Sequence, residues 1–216
     1  MKRAAAPALA ALVAGACAQT VPAVVPLADT WPQPPPRYGD AYDRWTRRGL
    51  DRDELSQTIG VSATLESADF RAAYLHERAR RLQIPPDEEA RLAEAEQKAL
   101  GDAWELELLV ATAKPELNDL RKYGKERQEG KTGSSWRLAL VGDAGREVVP
   151  ISVVEDRRHR EDVHAYFPDL QQFYVPYIVK FPRRTADGQP LVQGKGKLTL
   201  KVGGALGQVT LVWDGG

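Results

Sequence analysis

Cysteine, methionine and histidine are scarce in this chain: its 216 residues hold one Cys, one Met and three His. A lone cysteine can neither close an internal disulfide nor build a thiolate zinc cage, so disulfide-stapled scaffolds and zinc ribbons are excluded. An excess of one charge is also missing. Thirty Lys and Arg balance thirty Asp and Glu, which removes the basic field that nucleic-acid binders present, and nucleic acid is not an expected partner. No self-similarity recurs at the 20–50-residue period of solenoids and propellers. What is there, 43% hydrophobic and 28% charged residues, suits one main globular domain.

The N-terminus reads as an address. Lys2 and Arg3 precede an uncharged run from Ala4 that closes on the small residues Ala14-Gly15-Ala16, the layout of a secretory signal peptide over 1–16. Taken to Ala16 the run reaches only about 20 Å as a helix, short of the roughly 30 Å hydrocarbon core of a bilayer. Cys17 follows at once. Here the sequence resembles the lipobox of bacterial lipoproteins, with Ala14 where Leu is commonest. The resemblance, confined to the first 17 residues, implies cleavage before Cys17 and acylation of that residue. Ala18, rather than Asp, behind the Cys implies delivery to the outer membrane. Ordinary signal cleavage is the competing reading, because Ala14-x-Ala16 and Ala16-x-Ala18 also satisfy the small-residue rule. Loss of 1–16 removes two basic residues and no acid, leaving a formal balance of −2; membrane attachment would then depend on acyl chains and not on a polybasic patch.

Residues 17–40 read as the lipidated Cys and a proline-rich tether, with Pro22, Pro26, Pro32, Pro34, Pro35 and Pro36 favouring an extended spacer. The remaining 41–216 are expected to form the domain, beginning with a polar stretch to Asp53. Alternation marks Ile59–Leu65 as a strand. Ser67 then caps a helix that Pro85-Pro86 ends, and a second helix opens on Pro86-Asp87-Glu88-Glu89, where proline and acids suit a first turn. Together they predict a helical hairpin at about 67–101. Alternation returns at 104–110, 136–141, 149–153, 173–181, 198–202 and 209–213, with turn residues at Gly142–Gly145, Asp187-Gly188 and Gly203-Gly204. Seven strands predict a mainly β fold: an antiparallel, immunoglobulin-like β-sandwich with an inserted helical hairpin, α+β overall. Residues 114–133, rich in charges of both signs, are expected to be a solvated loop or short helix.

The chemistry-bearing motifs are weak. Gly130-Lys131-Thr132 has five residues between Gly124 and Gly130 where a phosphate loop needs four, and no strand leads in. Gly194–Lys197 enters a strand whose Lys197, Thr199 and Lys201 read as a charged edge. His159 and His164 are five apart among Arg157, Arg158 and Arg160, a poor metal site and more simply a solvated, internally paired charge run. His76 reads as a surface residue. Ser134 and Ser135 lack a nucleophile elbow. Glu105 and Glu107 share one strand face, the pairing used in glycoside hydrolysis, yet alternating acids on an exposed strand explain them more simply. Phe167, Phe173, Tyr174, Tyr177 and Phe181 are aromatics for the core or for a partner-facing patch. Cys17 is therefore the single assigned site; no catalytic, cofactor or metal residue is expected. The predicted protein is a lipid-anchored envelope module that binds or assembles, with the membrane and an envelope protein as partners. A secreted periplasmic hydrolase is the alternative.

Overall fold

The computed structural model describes residues 27, 29–53, 56–123, 133–193 and 196–215. Cys17, the signal segment, the first part of the tether and the Gly124–Thr132 motif lie outside them. Among the described residues, nine strands form two antiparallel sheets, and helices flank the larger one.

The elements follow in chain order as α1 (Tyr38–Trp45), β1 (Thr46–Asp53), β2 (Ser56–Leu65), α2 (Ala68–Leu82), α3 (Pro86–Ala99) and β3 (Ala103–Thr112). Then come β4 (Trp136–Val141), β5 (Glu147–Val148), β6 (Ser152–Glu155), α4 (Arg160–Tyr166), β7 (Val175–Pro182), β8 (Lys197–Gly204) and β9 (Gly207–Asp214). The five-stranded sheet has the order β1-β2-β3-β7-β6 and the four-stranded sheet β5-β4-β8-β9.

Pleating sorts the side chains. In register across the larger sheet, Val61, Ala63 and Leu65 oppose Val110, Leu108 and Leu106, which oppose Val175, Tyr177 and Val179. These positions join one core with Leu138, Leu140, Leu198, Leu200, Val202, Val209, Leu211 and Trp213 of the smaller sheet. Each such aliphatic side chain removed from water contributes about 1.5–3 kcal/mol. The sheets approach closely: a Cβ on Gly49 of β1 would fall 2.3 Å from Val209 Cγ1 of β9.

The opposite face of the larger sheet carries Ser62 and Thr64 of β2, then Glu107 and Leu109 of β3, in matched register. It faces helices over Thr64 and Glu107 and borders open space beside Ser62. The Ser67 hydroxyl caps α2 by accepting from Phe70 N, and α1, α2 and α4 join through a ring cluster of Tyr38, Tyr42, Phe70, Tyr74, Tyr166 and Phe167.

Several expectations change. The polar stretch before Asp53 folds as α1 and β1, because Ala41, Tyr42 and Trp45 are buried and Arg47 donates its Nε to Val212 O. The strand expected at 149–153 begins only at Ser152, as β6 of the larger sheet, while β5 of the smaller sheet ends at Val148, and the chain crosses between the two with Val149 and Ile151 exposed. Pro150, which has no N–H for a ladder, stands at the crossing. Phe173 precedes β7 and is 72% exposed. Leu27 and Tyr38 pack against the core and Asp29 pairs with Arg183, so the end of the proline-rich segment lies on the domain. No described helix is long and apolar enough to cross a membrane.

Candidate functional site

The helix-covered sheet face holds a cluster of charges. Arg71 of α2 reaches Glu96 of α3 at 2.6 Å, Glu105 of β3 at 2.7 Å and Glu66 at 3.1 Å. Lys180 of β7 adds a second cation to Glu105 at 3.2 Å. Further along β3, Arg158 contacts Asp156 at 2.6 Å and Glu107 at 3.2 Å and donates to the Tyr74 hydroxyl at 3.0 Å. The expectation that Glu105 and Glu107 line an exposed strand face is thus overturned, since their side chains are only 16% and 1% exposed. In the run read as solvated and internally paired, Arg158 does pair with Asp156 and stays partly in solvent, while the Asp156 side chain is buried.

Burial dominates the ionisation of this cluster. It pushes the Glu107 carboxyl up to about 9, with Glu66 and Asp156 raising it further against the pull of Arg158. Its Oε1 is buried without a hydrogen-bond partner among the described residues, as a protonated carboxyl tolerates better than a carboxylate. Burial, opposed by Arg71, likewise brings Glu66 up to about 7. Glu66, Arg71, Glu105, Arg158 and Tyr74 border a cavity of about 150 Å³. Water or a small ion fits that volume, whereas ligand sites run to about 300–1,000 Å³. The acids are engaged by guanidinium and ammonium groups, so the cluster joins the α2–α3 hairpin and the Asp156 turn to the sheet.

An open groove lies where the α4–β7 loop meets the sheet. Its larger lobe, about 620 Å³, is lined by Gln57, Ala111, Thr112, Arg160, residues 171–175 and neighbouring loop residues. The smaller, about 300 Å³, adds Arg48, Leu50, Ser62 and Asp169 and shares Gln57, Gln171 and Tyr174 with the first. The loop is pinned: Arg160 donates to the carbonyls of Tyr174 and Gln171. Asp169 Oδ2 accepts from Ser62 Oγ at 2.6 Å and Arg48 Nε at 2.5 Å. Of the aromatics flagged in the sequence, Phe167, Tyr177 and Phe181 are core, while Phe173 and half-buried Tyr174 face this groove.

The other flagged residues do not converge. His76 pairs with Glu89 on the hairpin, His159 precedes α4, and His164 lies on it. Ser134 donates to Asp119, which also accepts from Ser135 N, fixing the entry to β4. Of the segment expected as a solvated loop or short helix, the described part holds two short 3₁₀ helices, Pro115–Leu117 and Leu120–Lys122, and is not wholly solvated: Leu120 is fully buried, and the Asn118 side chain donates to Val110 O and accepts from the Tyr177 hydroxyl. Among the described residues no group of three His, Cys, Asp or Glu is arranged to hold a metal. Sequence reasoning missed Glu66, Arg71, Arg158 and the glutamines, whose only signal was polarity at positions beside apolar ones.

The geometry defines an α+β sandwich of two antiparallel sheets, one covered by helices, with a buried carboxylate–guanidinium cluster and an open aromatic groove. Comparison with protein-family models, curated proteins and solved structures finds no match.

Proposed function

We propose that the chain is a lipid-anchored protein of the bacterial cell envelope whose sandwich domain acts by binding or assembly and carries no catalytic activity. The observation that carries the anchor is the order Lys2-Arg3, apolar run, Ala14-Gly15-Ala16, Cys17. In this reading acyl chains on Cys17 hold the protein to the outer membrane, facing the periplasm or the cell surface, and the domain engages an envelope protein. Ala18 behind the Cys supports the outer membrane, and several acyl chains suffice for durable attachment. The general layout is taken as immunoglobulin-like, supported by two antiparallel sheets with alternating inward Leu and Val.

Binding is favoured over chemistry because the open groove is ligand-sized while the ionisable cluster borders only about 150 Å³. Glu66 is the one observation for the alternative, a secreted periplasmic hydrolase: a carboxyl near 7 beside a cavity suits acid–base work. Arg71 at 3.1 Å occupies it instead. Metabolic labelling with a fatty acid tests the anchor. Wild type is expected to take up label and Cys17→Ser to lose it; equal labelling of both would overturn the lipoprotein reading.

A further inference from the structure

We infer that the groove between the α4–β7 loop and the outer face of the larger sheet is a binding site for a neutral oligosaccharide. The inference deepens the binding-module reading and rests on it only in treating the groove as a place where ligand is held and not transformed.

The lining argues for this ligand class. Phe173 leaves most of its ring in solvent at the rim, 72% exposed, with Tyr174 beside it. Phe173 is the most exposed of the large hydrophobics among the described residues, and a ring at the rim of a groove offers its face to something flat and partly apolar. The C–H face of a pyranose ring is such a surface. The edges of the same ring carry hydroxyls, each both donor and acceptor, and an amide side chain offers both functions in turn. Gln57, Gln171 and Gln172 place three amides around the larger lobe, and no hydrogen bond engages those amides among the described residues. Thr112 adds a hydroxyl to the lining.

The cations of the groove are committed. Arg160 holds two loop carbonyls and Arg48 is paired with Asp169, so an anionic ligand finds no unengaged guanidinium among the lining residues. Extended peptide is disfavoured in the larger lobe because β2, β3 and β7 are interior strands, and only Ala111 and Thr112 of β3 run past the last β3–β7 pair, Val110 with Val175, too short a ladder to seat an added strand. A lipid tail would leave three glutamine amides unsatisfied against hydrocarbon. The loop itself is preorganised by Arg160 and Asp169, which lowers the entropy lost on binding. The two lobes, sharing Gln57, Gln171 and Tyr174, run together, and their combined length suits more than one sugar ring.

The test uses the purified full chain and three uncharged tetrasaccharides, cellotetraose, maltotetraose and chitotetraose, titrated calorimetrically, with a proline-rich peptide as the competing class. At least one saccharide is expected to saturate the protein with a dissociation constant below about 1 mM. Phe173→Ala, an exposed position whose change leaves the fold intact by circular dichroism, is expected to weaken it about tenfold. Gln171→Ala should weaken it as well. If none of the three saturates, if binding is indifferent to both substitutions, or if only the peptide binds, the inference is overturned. If a bound saccharide is cleaved, the site stands and the non-catalytic reading falls.

Discussion

At the scale of single residues, Glu107 has the most unusual environment among the described residues. Its carboxyl, ordinarily near 4.5, is held near 9 by burial. Between those pH values the folded protein keeps a proton that the unfolded chain has released, so this group's contribution to stability falls as pH rises. For a whole proton the slope is about 1.4 kcal/mol per pH unit. Glu66, raised to about 7, acts in the same direction over the lower part of that window. Glu107→Gln keeps the shape and an acceptor for Arg158 but cannot ionise. Urea midpoints at pH 5 and pH 8 are therefore expected to move in favour of the Gln variant at pH 8. A gap between variant and wild type that is the same at both pH values would show that Glu107 does not titrate there. The sequence displayed Glu105 and Glu107 as an alternating pair, but alternation is blind to what covers a face.

At the scale of elements, strand ends are set by close approaches that a side chain would disturb. Gly142 follows β4 and forms the turn to Arg146, donating its N–H to Arg146 O. A Cβ there would lie 1.7 Å from Leu191 O, and a backbone carbonyl cannot swing aside as a side-chain end can. Gly203 in β8 has nothing within 4 Å of the same added atom. Gly142→Ala is expected to cost about 1–3 kcal/mol, the usual penalty of overpacking, and Gly203→Ala to stay near wild type. Thermal melts of the two variants check this, and equal midpoints would contradict the close packing at Leu191. Elements with a clean period were legible: β2, β3, β4, β8 and β9, and the hairpin with its Ser67 cap and Pro86 start. By contrast α1 and β1 were hidden, because eight-residue pieces with Arg44, Arg47, Arg48 and Arg52 show too few apolar positions for a period. Arg47 is buried all the same, through its contacts with backbone carbonyls.

For the molecule as a whole, the last strand closes the sandwich. Trp213 of β9 is fully buried and donates its indole N–H to Trp45 O at 2.7 Å, linking the C-terminal strand to α1. Trp213→Ala is expected to cost about 3–5 kcal/mol, a large part of the roughly 5–15 kcal/mol that holds a domain together. Half-buried Trp31, in the proline-rich segment, is expected to lose much less on the same change. Denaturant midpoints of the full chain decide it, and equal losses would mean that residues 29–37 are as integral to the body as β9. What the sequence determined by itself is what local chemistry encodes: the periods of the longer strands, the caps and prolines that bound the hairpin, and the charge–apolar–Cys order at the N-terminus. Which polar residues lie inside was decided only by tertiary structure. Glu107, Asn118 and Asp156 are buried yet share their pattern with any solvated strand or turn, and whether a helix, a loop or water covers them depends on elements distant in the chain.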